Sequence, residues 1–280
     1  MLFQTALIIW RESVEALLVI GILHAWLQHE AGVNGRSRGT LYLWGGVVAG
    51  LLAAVALGAV LVFAQDLFGD EGQDYFQAAM VLAAAVLIVQ MVVWMRRHGR
   101  TLKKQITSGL TSASEKEHWW GVFTLALIAV AREGSETAVF LYGSLSNASG
   151  ASFLAIALTA AAGFAAALFT YYLLQLGSRM FSWRHFFVFT EVMLLLLAFA
   201  LLLTGVDRLA GLGLLPFSSK PLWDTSWLLS DTSPVGSLLA SLVGYRAKPD
   251  MGQLVAAVLY WSAIAYLLRG GRSPQAVTAA

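Results

Sequence analysis

The sequence contains no cysteine among its 280 residues. This absence excludes disulfide bonds, thiolate metal sites and cysteine-ligated iron–sulfur clusters. Charged residues are also scarce, at 12% of the chain, whereas a soluble globular domain has roughly 25%. Hydrophobic residues make up 58% of the chain and the mean hydropathy is +0.71. These values indicate a membrane protein whose surface is in contact with lipid.

The sequence lacks the motifs that are typical of several classes of protein. The net charge of +2 does not indicate nucleic acid binding, because the basic residues are grouped in particular loops. The sequence has no P-loop pattern, so we expect no ATP hydrolysis by this chain. It also has no recognisable redox cofactor site and no convincing nucleophile–base pair. We therefore expect a protein that is not an enzyme and holds no cofactor of its own.

Apolar runs long enough to cross a bilayer recur seven times, and in lipid such runs must be helices. The predicted spans are residues 4–28, 41–64, 75–95, 119–142, 153–176, 185–206 and 252–268. The fold class is therefore an all-α polytopic membrane protein that forms one transmembrane domain over residues 1–280. The segment 207–250 is expected to be a loop on the outer side of the membrane, with an amphipathic stretch at 235–245 lying at the interface.

Charge alternates between successive loops. Basic residues follow the first, third, fifth and seventh spans, whereas the loops after the second and fourth spans have no Lys or Arg. The positive-inside rule therefore places the N-terminus outside and the C-terminus in the cytoplasm.

Two clusters of charge interrupt the apolar spans. Residues 11–15 read RESVE in the first span, and residues 132–136 read REGSE in the fourth. A charged side chain at the bilayer centre costs at least about 2.5–3.5 kcal/mol and by default marks a pathway or a site. Together the clusters hold four carboxylates and two guanidiniums, a surplus of two negative charges. This surplus suits a highly charged cation.

The clusters lie 121 positions apart, in the first and fourth of the seven spans. This spacing predicts a 3+3 inverted repeat, with one unit at about 1–100, the second at about 115–207, and a seventh helix outside it. Small residues at four-residue spacing support the pairing, since they let helices approach closely in lipid. The two stripes are Gly46, Gly50, Ala54 and Gly58 in the second span, and Ala155, Thr159, Gly163 and Ala167 in the fifth.

If the first and fourth helices cross at the clusters, four carboxylates converge. The predicted ligands are Glu12, Glu15, Glu133 and Glu136, and the arginines that orient them are Arg11 and Arg132. Oxygen-only ligation favours hard cations such as ferric iron, although the spacing admits others. Two other interpretations stay open at this point. The clusters could form a buried ion-pair network that holds the two helices together, as in a structural subunit of a membrane complex, or a proton relay without metal.

The two clusters and their flanks resemble the oxidase-dependent iron transporter family, the ferric iron permeases of bacteria and fungi. The matching segments read LIIWRESVEA at 7–16 and AVAREGSE at 129–136, with further echoes WMR at 94–96, FF at 186–187 and GY at 244–245 before Pro249. The resemblance implies a high-affinity permease that carries ferric iron into the cytoplasm through the glutamates between the first and fourth helices. It also implies a bacterial inner-membrane location and extracytoplasmic partners that oxidise or deliver iron. Permeation of ferrous iron or lead is the alternative within the family.

Two further groups of residues are candidates for the pathway. The family commonly has a glutamate near the start of the third helix, where this chain has Gln77, whereas Glu191 stands at the corresponding place in the sixth helix. We expect Glu191 and Gln77 to mark a relay position on either side of the central cluster. Four acidic residues in the outer loop could attract cations to the entrance, namely Asp66, Asp70, Glu71 and Asp74.

Overall fold

The computed structural model describes residues 2–30, 33–98, 119–145, 153–176, 183–215, 221–231 and 233–269, apart from a few side chains within these ranges. In these ranges the chain forms helices and a single isolated β-bridge, Pro221 with Asp250. The helices are α1 (Leu2–Glu30), α2 (Val33–Leu67), α3 (Asp70–His98), α4 (Trp120–Leu145), α5 (Phe153–Gln175), α6 (Trp183–Gly211), α7 (Pro234–Val243) and α8 (Met251–Arg269).

Five of these helices are both long and apolar enough to cross a membrane: α2, α3, α5, α6 and α8. The remaining long helices, α1 and α4, have 29 and 26 residues and contain the two charged clusters. The prediction of an all-α polytopic membrane protein is confirmed. The number of seven spans and the orientation in the bilayer stay predictions.

Most long helices extend beyond the spans predicted from hydropathy. The 35-residue α2 begins eight positions before the predicted span, and at 1.5 Å per residue it is about 52 Å long. The hydrocarbon core is only about 30 Å thick, so the ends of this helix belong to polar surroundings. Apolar periodicity marks the part of a helix within lipid and gives no signal for its polar extensions.

The first and fourth helices run antiparallel. Leu27, near the end of α1, packs in one apolar cluster with Val122, near the beginning of α4. Glu12 lies earlier in α1 and converges with Glu133, which lies later in α4. The third and sixth helices are also antiparallel, because Gln77 bonds Arg208 at one end while Arg96 pairs with Glu191 at the other. Antiparallel partners are the relation that the predicted inverted repeat requires.

The small-residue stripes lie at matched helix contacts. A side chain at Gly50 of α2 would meet Leu127 and Val130 of α4, and one at Gly163 of α5 would meet Ala6 and Ile9 of α1. These neighbours are related by the same spacing of 121 positions that separates the two charged clusters. The helix pairs α2–α4 and α1–α5 are therefore equivalent in the two halves of the chain.

The segment after α6 is tied to the helix bundle. Arg246 forms an ion pair with Asp207 at 3.1 Å, and Asp207 also accepts from Gln253 of α8. The predicted amphipathic stretch overlaps the short helix α7, whose N-cap is Ser233 and whose C-cap is Gly244 at φ +75°. The amide of Gln4 in α1 donates to the carbonyl of Ser241, so α7 rests on the beginning of α1.

Candidate metal site

Three carboxylates from the two clusters converge. Oxygen atoms of Glu12 on α1 and of Glu133 and Glu136 on α4 lie within 4.8 Å of one another. One oxygen of each of the three carboxylates is buried and has no hydrogen-bond partner among the described residues. Buried polar atoms are normally hydrogen-bonded, so three such oxygens in one place indicate a site for a ligand. Carboxylate oxygens are the ligands that hard cations prefer.

Glu15 is the fourth predicted ligand and has a different partner. Its carboxylate forms an ion pair with Arg11 one turn away, and it does not belong to the group of three converging carboxylates. Arg11 also donates to Glu12 at 2.7 Å from its other terminal nitrogen. The nitrogen that pairs with Glu15 also donates to the sulfur atoms of Met91 and Met95 on α3, at 2.7 and 3.1 Å.

The second arginine has a more open environment. Arg132 donates through Nε to Glu136 at 3.1 Å and is 39% exposed, whereas Arg11 is 3% exposed. Its guanidinium carbon lies 4.3 Å from the ring centre of Trp94 on α3, a cation–π contact. Both arginines are thus held between a carboxylate and α3.

A cavity of about 1040 Å³ leads to the carboxylates. Glu12 and Glu133 lie in its wall together with apolar residues of α2 and α4. Its other end is polar, where Tyr142 donates to Gln65 and Arg208 donates to Gln77 at 2.7 Å. This end lies on the side that the basic loops predict to be extracytoplasmic. The arrangement can admit a small cation from one side and hold it between helices α1 and α4.

Comparison with known proteins identifies the family to which this chain belongs. The profile of the iron permease FTR1 family matches residues 2–270, nearly the whole chain. The chain belongs to the iron permease FTR1 family. This membership confirms the resemblance drawn from the clusters, and it makes the chain a multi-pass permease whose transported substrate is iron.

Named relatives match most of the length of the permease. The ferrous iron permease EfeU of Escherichia coli O6:H1 is 27% identical over 261 residues, which cover 92% of each chain. The putative inactive ferrous iron permease EfeU of Escherichia coli K12 is 26% identical with the same coverage. The ferrous iron permease EfeU of Yersinia pestis is 24% identical over 92% of this permease and 90% of the relative. No solved structure matches the permease.

The relay candidates of the permease lie at opposite ends of α3 and α6. Gln77 lines the polar end of the cavity and accepts from Arg208. Glu191 pairs with Arg96 at 3.2 Å and is not among the described residues that line the cavity. Of the four acidic entrance candidates, only Asp74 has a described side chain, and it is exposed. The side chains of Asp66, Asp70 and Glu71 lie outside the described part.

Sequence reasoning missed the contribution of α3 to the site. Met91, Trp94 and Met95 share one face of this helix and contact both arginines of the permease. The available signal was the segment WMR at 94–96, which matched the family pattern without any assigned role. Arg208 and Tyr142 were also missed, because each lies near the end of a long apolar helix where polar residues are ordinary.

Proposed function

We propose that this permease moves iron as a bare ion into the cytoplasm through a site formed by Glu12, Glu133 and Glu136. The observation that carries the proposal is the convergence of three carboxylates, each with a buried oxygen that has no partner in the described chain. Two of them, Glu12 and Glu133, lie in the wall of the cavity. Iron is the cargo in this proposal and no resident cofactor is assigned. The location proposed is the bacterial inner membrane.

Charge balance supports ferrous iron as the transported form. With all four glutamates ionised, the clusters carry two more negative than positive charges. A divalent cation neutralises this surplus, whereas a trivalent ion leaves one positive charge in a poorly solvated site, which is costly. The relatives compared above are named ferrous iron permeases. Ferric iron, which the first resemblance implied, is the competing proposal, and its delivery would call for an extracytoplasmic oxidising partner.

The ligand roles follow from the contacts. Glu12, Glu133 and Glu136 are proposed to bind the ion directly. Glu15 is proposed to hold Arg11, so that this guanidinium takes only one oxygen of Glu12. Arg132 takes one oxygen of Glu136, and its positive charge reduces the repulsion between the carboxylates of the site.

A purely structural ion-pair network is less well supported. Such a network gains stability only if its remaining polar atoms are satisfied, because desolvation opposes the attraction between its charges. Three carboxylates here keep an oxygen without a partner in the described chain. A proton relay could use the same glutamates, and it predicts proton movement that needs no iron.

The test is uptake into vesicles reconstituted with the purified permease. Ferrous iron kept reduced with ascorbate, ferric citrate and lead ions are offered separately, and the internal metal is measured. We expect saturable uptake of ferrous iron and little uptake of the other two. Glu133→Gln is the matched control, because it keeps the shape of the side chain and removes its charge.

Each result favours one function. Saturable ferric uptake without ferrous uptake would mean that ferric iron is the transported form, and the proposed glutamate site would still stand. Uptake by Glu133→Gln vesicles equal to that of the unmodified permease would remove the ligand assignment. Proton flux that persists in metal-free buffer and is lost in Glu133→Gln would support the relay instead.

A further inference from the structure

The third helix presents neutral side chains to both arginines of the site. Met91 and Met95 are four residues apart and Trp94 lies between them, so the three share one face of α3. The two sulfur atoms accept from Arg11 at 2.7 and 3.1 Å, and the indole ring lies 4.3 Å from the guanidinium carbon of Arg132. All three side chains are neutral, so these contacts leave the charge surplus of the site unchanged.

The arginines compete with the cargo for the same oxygens. A guanidinium has five N–H donors and readily takes both oxygens of a carboxylate. In this structure Arg11 takes one oxygen of Glu12 and Arg132 takes one oxygen of Glu136, while the second oxygen of each glutamate stays unpartnered in the described chain. The thioether sulfurs lie against Nη2 of Arg11, the nitrogen that pairs with Glu15, and the indole ring lies against the guanidinium carbon of Arg132. These weak, neutral contacts fix how each guanidinium is oriented toward its carboxylate.

We propose that Met91, Trp94 and Met95 are positioning residues for iron transport, which hold Arg11 and Arg132 so that one oxygen of Glu12 and of Glu136 stays available to the cargo. The inference rests on the proposed function of the glutamates as iron ligands. Without these three side chains the arginines close on both oxygens, and iron must displace them. The affinity for iron therefore falls, whereas the translocation step, which begins after the arginines are displaced, changes little.

The experiment measures KM and kcat for ferrous iron uptake in the reconstituted vesicles, with ascorbate present. The variants are Met91→Leu/Met95→Leu, which keeps volume and removes sulfur, and Trp94→Leu, which removes the aromatic face. We expect Trp94→Leu to raise KM about threefold to tenfold, with kcat within a factor of about two. The methionine pair is expected to raise KM about threefold, since a thioether is a weaker acceptor.

Matched variants separate positioning from packing. Trp94→Phe keeps an aromatic face and should recover most of the KM. Met80→Leu makes the same change on α3, about three turns earlier, and should leave KM unchanged. In an Arg132→Lys background, Trp94→Leu should lose most of its effect on KM, whereas the methionine pair should keep its effect because it acts through Arg11.

The outcomes distinguish this inference from the proposed function. If the unmodified permease takes up no iron, both are overturned. If it takes up iron normally and the Trp94 and methionine variants keep the same KM, only the positioning role is overturned. A fall in kcat at constant KM, or an equal effect of Trp94→Leu with and without Arg132, would also overturn it.

Discussion

The two charged clusters have the same sequence pattern and different surroundings. In the first cluster Arg11 is 3% exposed and contacts two carboxylates and two sulfur atoms. In the second cluster Arg132 is 39% exposed and contacts one carboxylate and one indole ring. The first contributes one carboxylate to the converging group and the second contributes two, Glu133 and Glu136.

This difference shows that a repeated motif does not give repeated roles. The contacts of α1 with α5 and of α2 with α4 are equivalent in the two halves, whereas both clusters face the same helix, α3. Helix α3 belongs to the first half of the chain and contacts the arginines of both clusters, so the two halves do not contribute equally to the site. We attribute the asymmetry of the carboxylates to these contacts of α3 with both arginines.

The largest effects are expected when single carboxylates are removed from the two clusters, because only some of them belong to the converging group. Glu12→Gln and Glu136→Gln should each reduce iron uptake by more than about 100-fold. Loss of a residue that only orients a metal ligand typically costs roughly 10–100-fold, and loss of a ligand itself should cost more. Glu15→Gln should cost only about tenfold, since Glu15 acts through Arg11. The measurement is the initial rate of ferrous uptake in vesicles with equal amounts of reconstituted protein.

The order of these effects is the informative result. If Glu15→Gln abolished uptake as completely as Glu12→Gln, all four glutamates would be equivalent and the distinction between the clusters would be wrong. A circular dichroism spectrum and a single elution peak in detergent control for loss of fold in each variant.

The arginines sharpen the same comparison. Arg11→Lys should reduce uptake about tenfold, because an ammonium cannot hold two carboxylates in the planar geometry of a guanidinium. Arg132→Lys should reduce it only about twofold, since its partly exposed position holds a single carboxylate. Uptake rates at saturating ferrous iron test this pair. Equal losses for the two variants would contradict the structural asymmetry.

The site could be predicted from the sequence as far as its residue types and its two helices. Glutamates three positions apart must share a helix face, and charge within lipid marks a site. The sequence could not show that Glu15 is directed to Arg11 while Glu12 is directed to the cavity. That choice depends on tertiary contacts with Met91 and Met95, which lie some 80 positions away in the chain.

The fold was predictable to a similar extent. Hydropathy located the long helices of the described residues and missed the polar ends of most of them, as α2 illustrates. The segment 207–250 could be placed between two spans, but its attachment through Asp207 and Arg246 could not be derived. Such an ion pair between distant residues leaves no periodic signal in the sequence.

The small-residue stripes allow a smaller effect to be tested in both halves. Ala normally stabilises a helix relative to Gly by up to about 1 kcal/mol. At Gly50 and Gly163, however, the added methyl group would lie 2.8 Å from the side chain of Val130 and 2.7 Å from the carbonyl of Ala6. Gly50→Ala and Gly163→Ala should therefore each destabilise the permease by about 1–3 kcal/mol. Thermal unfolding in detergent measures the change.

Gly58 provides the matched control on the same stripe as Gly50. A side chain there would meet nothing within 4 Å among the described residues. Gly58→Ala should therefore leave the unfolding temperature unchanged or raise it slightly. A destabilisation at Gly58 as large as that at Gly50 would mean that the close α2–α4 contact is not what the glycines provide.

The smallest effect is expected where the two halves diverge, at Glu191 and Gln77. Glu191 pairs with the half-exposed Arg96, and such pairs contribute about 0–1 kcal/mol. Gln77 instead lines the cavity beside Arg208, where a carboxylate would form an ion pair across the path of the cation. Glu191→Gln should therefore change ferrous uptake by less than about twofold, and Gln77→Glu should alter KM more than kcat.

If Glu191 is a relay, Glu191→Gln will cut the uptake rate and Gln77→Glu will restore part of it in the double variant. Uptake rates of the two single variants and the double variant decide between these outcomes, because a relay requires the rescue and an ion pair at the far end of α3 does not produce it.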